Sequence, residues 1–453
     1  MKNLTTRFMR GGALATGLLC LAGITACGSD DDSTTPAKQP DAVVTPQPAT
    51  AASITTQPKT QSVPAGQPAT FSVVAGGSGT LSYQWWRNGA AVPGATSATY
   101  TTTATTLADS GDVISVVVKN EAASVTSGAV ALQVEGIGAR VLAGGAIEPT
   151  RAQLDGVGKQ AYFLSAGAIA GDGAGNLLLV DTRSKSVRKI TPAGVVSTPI
   201  AGPKTTPALQ FPRDIAAGPN GVTYVTDGNS ESLSIYALKI AADNVISALP
   251  TGTTLGDPAL SSGVIVPPVI TAIAADAAGN VYVASEVARN GEPECSSCFK
   301  RAIVRRIAPD KSVTIVLESL GSSIMGGVID MAVDKNGNVF VVNDKGIQKV
   351  DASGVATTLV GTDQAFIKAI ALDASGNLYF ATEPFSGRQS TWPAGAIGKV
   401  AADRSITVVA DPNGSDARFK SAAWITQPAG LAVDAAGALY VSGNGRVLKL
   451  VLP

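Results

Sequence analysis

The sequence predicts an all-β protein, and both its composition and its internal repeats support this. Of the 453 residues, 45% are apolar and 15% are charged, and glycine occurs 49 times. Such a composition is typical of short strands and tight turns rather than of long amphipathic helices. After residue 165, an apolar stretch, a turn similar to Asp-x-x-Gly-Asn and a second apolar stretch recur together six times. Repeats made only of strands and turns, about 40 to 60 residues apart, predict a six-bladed β-propeller.

Each repeat predicts one blade of four antiparallel strands, with the first strand against a central channel. The copies occupy residues 168–181, 272–285, 330–343, 369–382 and 430–442, and a degenerate copy occupies 214–227. The last blade has sequence for three strands and lacks its outer one. Residues 138–145 resemble the fourth-strand ending of the first blade, residues 196–202. We therefore expect residues 138–145 to supply the missing strand and to close a ring over residues 138–453.

Residues 1–26 predict a secretory signal peptide, because a basic start precedes an apolar run (13–24) that is too short to span a bilayer. The run ends in Ile24-Thr25-Ala26-Cys27, which resembles the bacterial lipobox and implies a lipid on Cys27. Because Gly28 follows rather than aspartate, the rule for Gram-negative lipoproteins favours the outer membrane, on its periplasmic or its surface side. The alternative is an ordinary signal peptide with an incidental cysteine. Residues 27–52 are rich in Pro, Thr and Asp and predict a disordered tether.

Residues 53–134 predict a separate first domain in which short strands alternate with turns. This segment resembles bacterial immunoglobulin-like domains in Tyr83-Gln84-Trp85, Asn88-Gly89, Ala108–Gly111 and Val118–Asn120. The resemblance implies a β-sandwich with Trp85 in its core and without the cysteine pair of antibody domains. Alternation along the strand places Trp86 on the opposite side, as a surface aromatic or a ligand-stacking residue. Such a domain serves as a spacer or an adhesion module.

The blades themselves resemble those of the NHL-repeat family. The best stretch, residues 154–202, is similar to the first blade of bacterial NHL proteins, including Asp155-Gly156, Ala161, Asp181 and Arg188-Lys189-Ile190. Residues 414–419 repeat part of the segment that leads into this blade. The resemblance covers residues 138–453 and implies the fold, but no particular activity.

Composition excludes several classes of function. The chain contains no histidine, so a Ser-His-Asp triad, a Cys-His pair and an imidazole-bound zinc are all excluded. The formal net charge is +0, and no basic field for nucleic acid is present. Cys295 and Cys298 form a lone Cys-x-x-Cys, for which a disulfide is expected outside the cytoplasm. A zinc site would need two further ligands, and a redox motif would need a βαβ context.

The predicted loop lengths indicate which face of the propeller would bind a ligand. The turns after the first and third strands of each blade are short, whereas the long insertions 250–268, 286–301, 383–396 and 411–428 are all expected on the opposite face. Long loops on a rigid scaffold commonly carry recognition, although surface loops also lengthen without a function. Trp392 and Trp424 lie in these insertions and are candidates for ligand stacking or for loop anchoring.

Four charged residues are expected at the channel mouth on this face: Arg213, Asp214, Asp330 and Lys368. Asp214 and Asp330 occupy the same repeat position, where the other blades have glycine or alanine. Their carboxylates could contact a polar ligand or hold Ca²⁺, or they could form internal ion pairs with Arg213 or Lys368. The repeated aspartates of the short turns are instead predicted to cap those turns: Asp172, Asp276, Asp334, Asp373 and Asp434.

Three classes of function remain open. The first is an envelope protein whose propeller binds a peptide, a protein or a glycan on the face with the long loops. The second is a Ca²⁺-dependent hydrolase similar to propeller lactonases and esterases, although no matching set of acidic and amide ligands is found. The third is a purely architectural surface adhesion protein, in which the immunoglobulin-like domain provides the adhesion. No catalytic residue is assigned.

Overall fold

The computed structural model describes residues 49–145, 153–201, 209–228, 235–249, 269–288, 300–320, 327–343, 345–361, 366–383, 392–401, 403–420 and 424–452. In these residues the chain forms 35 strands and a few single 3₁₀ turns, without any α-helix. The protein is all-β, as predicted. No helix in this part of the chain is long and apolar enough to cross a membrane.

The first ten strands precede the propeller and share no sheet with it, and we call this part of the chain the first domain. They are β1 (Ser53–Thr56), β2 (Gln61–Pro64), β3 (Thr70–Ser72), β4 (Val74–Gly76), β5 (Ser82–Arg87), β6 (Ala90–Ala91), β7 (Thr99–Thr101), β8 (Val113–Lys119), β9 (Ser124–Thr126) and β10 (Val130–Glu135). The largest sheet has the order β2-β10-β8-β5-β6, with β9 on β8, and two pairs, β1-β4 and β3-β7, complete the domain.

Apolar side chains from these sheets share one core around Trp85, which is fully buried. Its indole Nε1 donates to the carbonyl of Ser97 at 2.9 Å, so the buried polar edge is satisfied. Phe71 lies beside it, with ring centroids 6.4 Å apart. At Val73 the chain changes its partner strand, because β3 pairs with β7 whereas β4 pairs with β1. Trp86 is half-buried, as expected for the opposite face of β5.

Six antiparallel sheets follow, one for each repeat. Blade one contains β12 (Gly156–Val157) outermost and β13 (Ala166–Gly171), β14 (Leu177–Asp181), β15 (Ser186–Ile190) and β16 (Val195–Ile200). Blade two contains β17 (Ile215–Ala217), β18 (Thr223–Gly228), β19 (Ile235–Ile240) and β20 (Ile246–Ala248). Blade three contains β21 (Val269–Ala275), β22 (Val281–Ala288), β23 (Lys300–Ile307) and β24 (Val313–Leu320).

Blade four contains β25 (Asp330–Val333), β26 (Val339–Asn343), β27 (Gly346–Val350) and β28 (Ala356–Val360). Blade five contains β29 (Ile367–Leu372), β30 (Leu378–Thr382), β31 (Ile397–Val400) and β32 (Ile406–Ala410). Blade six contains β33 (Gly430–Val433), β34 (Leu439–Gly443), β35 (Arg446–Val451) and, from upstream, β11 (Gly138–Gly144). The first strands of successive blades lie side by side, and β33 contacts β13, so the ring is closed.

Ring closure uses the strand that the sequence predicts. β11 pairs antiparallel with β35, from Gly138 opposite Val451 to Gly144 opposite Arg446. Every residue of β11 is buried. The last blade therefore gains its outer strand from a segment that precedes the first blade, and this leaves no gap in the ring.

The aspartates of the first turns cap those turns, as predicted. In blade one, Asp172 Oδ1 accepts from the backbone N–H groups of Ala174 and Asn176, both at 2.9 Å, and Oδ2 accepts from Asn176 Nδ2 at 2.8 Å. Gly175 adopts φ +90°, where a side chain would be strained. Blades three to five repeat this pattern at Asp276, Asp334 and Asp373. In blade six alanine replaces the asparagine, and the Tyr440 hydroxyl donates to Asp434 at 2.8 Å instead.

The two edges of the ring differ in the length of their connections. We define the turn edge by the connections from the first to the second strand, which are all five residues long, and from the third to the fourth, which have four or five. The loop edge carries the remaining connections. The longest, of 14 to 20 residues, begin and end there, between β16 and β17, β20 and β21, β30 and β31, and β32 and β33. The connection of 11 residues between β22 and β23 lies at the same edge.

One long connection departs from the prediction that all of them stay at the loop edge. The segment from Asp411 toward Gly430 contains a 3₁₀ turn, Ala417–Phe419, that packs against β11. The carbonyl of Arg418 lies so near Gly138 that a Cβ there would be 2.6 Å from it, and Gly138 borders the turn edge. This connection therefore runs between blades five and six to the turn edge, because the buried Phe419 fills the space between those blades.

Candidate functional site

A cavity of about 520 Å³ occupies the channel of the propeller, lined by the first strands of all six blades. Most of its wall consists of small apolar residues. Its charged side chains are the four that the sequence predicts at the mouth: Arg213, Asp214, Asp330 and Lys368. The hydroxyl of Thr271 also lines the cavity, and it is buried without a hydrogen-bond partner among the described residues.

Strand register explains why two aspartates face this channel. Asp330 is paired with Val342, and the matching positions in the other blades include Ala272, Ala369 and Gly430. Asp214 holds the same position in blade two, where its own N–H donates to the Thr226 hydroxyl at 3.0 Å. All of these positions lie four residues before the first turn of their blade, toward the loop edge. The predicted equivalence of the two aspartates is therefore confirmed by the register.

Each carboxylate bridges two neighbouring blades. Asp214 Oδ1 accepts from the N–H of Ile215 at 2.8 Å, and its Oδ2 accepts from the N–H of Ile273 in blade three at 2.8 Å. Asp330 repeats this arrangement with Met331 in its own strand at 2.7 Å and Ile370 in blade five at 2.7 Å. We call these two arrangements the inter-blade clips. They hold the first strands of adjacent blades together on the channel side.

Neither aspartate forms a close ion pair with Arg213 or Lys368 in the described part of the chain. In the described part of the chain neither carboxylate has a cation within 4.0 Å, and Lys368 pairs with Glu383 at 3.9 Å. Arg213 is exposed and forms no ion pair there. The partners of the carboxylates are backbone N–H groups, which are fixed dipoles and carry no countercharge.

Burial without a countercharge shifts the titration of both groups. Each residue borders the open channel and is half-buried overall, whereas its carboxyl group lies within the wall of the ring. Desolvation raises the pKa of Asp214 to about 7, against the opposing hydrogen bonds from Ile273 and Ile215. Desolvation and the negative charge of Asp214 raise the pKa of Asp330 well above its usual value, although Lys368 opposes this. One of the two carboxyls is therefore readily protonated at neutral pH.

The Ca²⁺ alternative has few ligands to draw on. Among the described residues, no group of three or more histidine, cysteine, aspartate or glutamate side chains could hold a metal ion. The channel supplies two carboxylates, and every one of their oxygens already accepts an N–H. Ca²⁺ takes six to eight oxygen ligands in general, so most would have to come from elsewhere.

The two tryptophans occupy anchoring positions. Trp424 is 8% exposed, and its Nε1 donates to the carbonyl of Gly395 at 3.0 Å. Trp392 is half-buried and packs on Phe380, with ring centroids 5.0 Å apart. Little indole surface of Trp424 is left for a ligand, which favours the loop-anchoring alternative for that residue. Both rings connect the long loops of blades five and six to the propeller core.

Three predicted residues lie outside the described part of the chain: Cys27, Cys295 and Cys298. The sequence also did not indicate two features of the channel. No sequence motif indicates the unpartnered Thr271 hydroxyl, because its neighbours in the sequence are ordinary strand residues. The inter-blade N–H donors of the clips belong to Ile273 and Ile370, which a sequence pattern does not mark as polar partners.

Comparison with known proteins defines the fold alone. No protein-family profile matches this chain, and no curated protein does. A Bacteroides thetaiotaomicron protein of unknown function is 14% identical with a TM-score of 0.50, covering 90% of this chain and 99% of its own. An auxiliary nutrient binding protein from the same species is 13% identical, with a TM-score of 0.48 over 90% and 98% of the two chains. A gluconolactonase from Xanthomonas campestris is 13% identical, with a TM-score of 0.45 over 70% and 96%.

Proposed function

We propose that this protein is a binding protein of the cell envelope, whose propeller takes a peptide, a protein or a glycan at the loop edge. In this proposal residues 1–26 are a signal peptide, Cys27 carries a lipid, and the protein is attached to the outer membrane of a Gram-negative bacterium. Residues 53–134 are an immunoglobulin-like spacer.

The main support for the proposal is that the charged residues of the channel are all found at one of its two ends. Its charged groups all stand at the loop edge, where the innermost strands begin and the long connections are attached. At the turn edge the same strands line the cavity with small or apolar residues such as Gly171, Ala217 and Ala275. A concave site with a few polar groups at one mouth is the usual form of a ligand site. Exposed Arg213 and half-exposed Lys368 are the groups open to a ligand, since the carboxylates are engaged in the clips.

The test compares charge removal at the two edges of the full-length protein. Arg213→Ala and Lys368→Ala remove cations at the loop edge, and Lys189→Ala removes a similarly exposed lysine, which pairs with Asp172 at the turn edge at 3.4 Å. Peptide and glycan arrays identify a ligand, and its affinity is then measured for each variant. We expect the two loop-edge variants to bind about tenfold or more weakly, and Lys189→Ala to bind normally. Equal affinity in all three variants would contradict the assignment of this edge.

One observation favours a second candidate function, a hydrolase. Two carboxyls with raised pKa values in one cavity are the kind of groups that serve in acid–base catalysis. A panel of esters and lactones, assayed with and without Ca²⁺, separates the two functions. Turnover that disappears in Asp330→Asn while array binding persists would support the hydrolase.

A further inference from the structure

The first domain and the propeller are joined by a very short connection. Strand β10 ends at Glu135 and β11 begins at Gly138, so two residues separate a strand of the first domain from the strand that closes the ring. The ion pair between Glu135 and Arg140 crosses this connection, and the Arg140 side chain is 1% exposed. A linker of this length leaves little freedom for the two domains to reorient.

Lys159 of the propeller is bound by the first domain at three points. Its Nζ donates to Asp112 Oδ1 at 2.7 Å and to the carbonyl of Ala108 at 2.8 Å. Its backbone N–H donates to the carbonyl of Gly111 at 2.9 Å. Asp112 has a side chain that is 6% exposed, and it also pairs with Arg87 at 2.5 Å. The contact is thus a partly buried charge network rather than an isolated surface ion pair.

Glycines allow the two backbones to come into direct contact beside this network. Gly158 has φ +56°, and a Cβ there would lie 2.2 Å from the carbonyl oxygen of Gly111. Gly194, in a turn of blade one, would place a Cβ 3.0 Å from Gln133 Nε2, which donates to the carbonyl of Ala193 at 3.1 Å. At Gly158 a single methyl group would therefore collide with the opposite domain.

These contacts occupy one edge of the propeller and one end of the first domain. Residues 158–160 and 191–194 lie at the turn edge of blade one. The chain that leads into the first domain reaches its other end, where Asn120 Nδ2 donates to the carbonyls of Thr50 at 2.8 Å and Ser78 at 2.9 Å. β8 runs between the two ends, from Val113 to Lys119, a length of about 20 Å at ~3.4 Å per residue.

We propose that the first domain is a fixed strut which holds the propeller by its turn edge. The loop edge then faces away from the end of the first domain at which the chain arrives. The strut excludes a partner from the turn edge of blade one and leaves the loop edge open to a large partner. The proposal depends on the domain junction and not on ligand binding, so it can fail without the proposed function failing.

A pair of matched glycine substitutions in the full-length protein tests the strut. Gly158→Ala and Gly173→Ala both place alanine at a positive φ in blade one, at +56° and +73°. The Cβ of the first would collide with Gly111, whereas that of the second would meet nothing within 4 Å. Both variants carry the same kind of backbone strain, so their difference reports the junction. Lys159→Ala, which weakens the contact without a collision, is a third variant.

Hydrogen exchange followed by mass spectrometry is the measurement, because Lys159 N–H and Gly111 N–H are both bonded at or beside the junction. We expect peptides covering residues 108–113 and 157–161 to exchange at least about tenfold faster in Gly158→Ala and Lys159→Ala than in Gly173→Ala. Differential scanning calorimetry should show one unfolding transition for the wild type. For Gly158→Ala it should show an additional unfolding transition at a lower temperature. Equal exchange in Gly158→Ala and Gly173→Ala, or two transitions in the wild type, would overturn the strut.

Discussion

Replacing Asp214 with asparagine tests whether the carboxyl group of this inter-blade clip has a raised pKa in the folded protein. With a folded pKa near 7 and an unfolded value near 3.9, Asp214 binds its proton more tightly in the folded chain. The raised pKa determines how the free energy of unfolding changes with pH. Below pH ~4 both states are protonated, and as the pH rises toward 7 only the unfolded state loses the proton, so the free energy of unfolding falls. Above pH 7 the contribution is constant. Asparagine does not titrate, so this decline should disappear from the variant.

The pKa difference sets the size of the effect. About three pH units at ~1.4 kcal/mol each would give about 4 kcal/mol for a carboxyl fully removed from water. The residue borders the open channel, whose water screens the charge, so we expect about 2 kcal/mol. For a cooperative unit of about 400 residues this corresponds to about 2 to 3 °C in Tm. Asparagine also loses one of the two N–H acceptors, which costs about 1 to 3 kcal/mol at every pH.

The assay is thermal unfolding of the wild type, Asp214→Asn and Asp172→Asn between pH 4.5 and 8.5. The wild type should lose about 2 to 3 °C relative to Asp214→Asn as the pH rises. Asp172 is the matched control: partial burial acts to raise its pKa, but hydrogen bonds from Asn176 and Ala174 lower it. Its contribution is lost only as the pH falls through that lowered value, so its offset should be constant over this range. Parallel pH profiles for the wild type and Asp214→Asn would contradict a raised pKa of Asp214 in the folded protein.

Three other substitutions have defined outcomes. Asp373→Ala removes the acceptor of three turn hydrogen bonds and should lower the free energy of unfolding in urea by about 1 to 2 kcal/mol. Gly398→Ala places a Cβ 2.2 Å from Phe380 Cζ, so overpacking should cost about 1 to 3 kcal/mol, measured as a lower Tm. Trp424→Phe removes the indole hydrogen bond and should cost about 1 kcal/mol in urea while ligand affinity stays unchanged. Unchanged stability with lost affinity would restore Trp424 as a stacking residue.

Local patterns in the sequence predicted a large part of the fold. The turn caps follow from Asp-x-x-Gly-Asn alone, since donor and acceptor lie within five residues, as at Asp172 and Asn176. The closing strand was predicted because residues 138–145 repeat the pattern of a fourth strand. That inference needed only the strand count of the last blade, and the pairing of β11 with β35 confirms it.

The candidate site was predicted in its position but not in its chemistry. The shared repeat position of Asp214 and Asp330 was visible in the sequence. Their partners were not, because the N–H donors Ile273 and Ile370 lie 59 and 40 residues further along the chain. These N–H groups come within hydrogen-bonding distance of the carboxylates only because neighbouring blades lie side by side in the closed ring. The path of residues 411–420 was missed for a similar reason, since Phe419 fills a space that exists only between assembled blades.

The pairing of β11 with β35 has a consequence for biosynthesis. During translation, β11 leaves the ribosome some three hundred residues before its partner, Arg446–Val451, has been made. Until then its hydrogen-bonding groups must be shielded by something other than their final neighbour. A ribosome that stalls or a protease that cuts before Arg446 leaves the ring open, so ring closure requires that the chain has been made through Arg446–Val451.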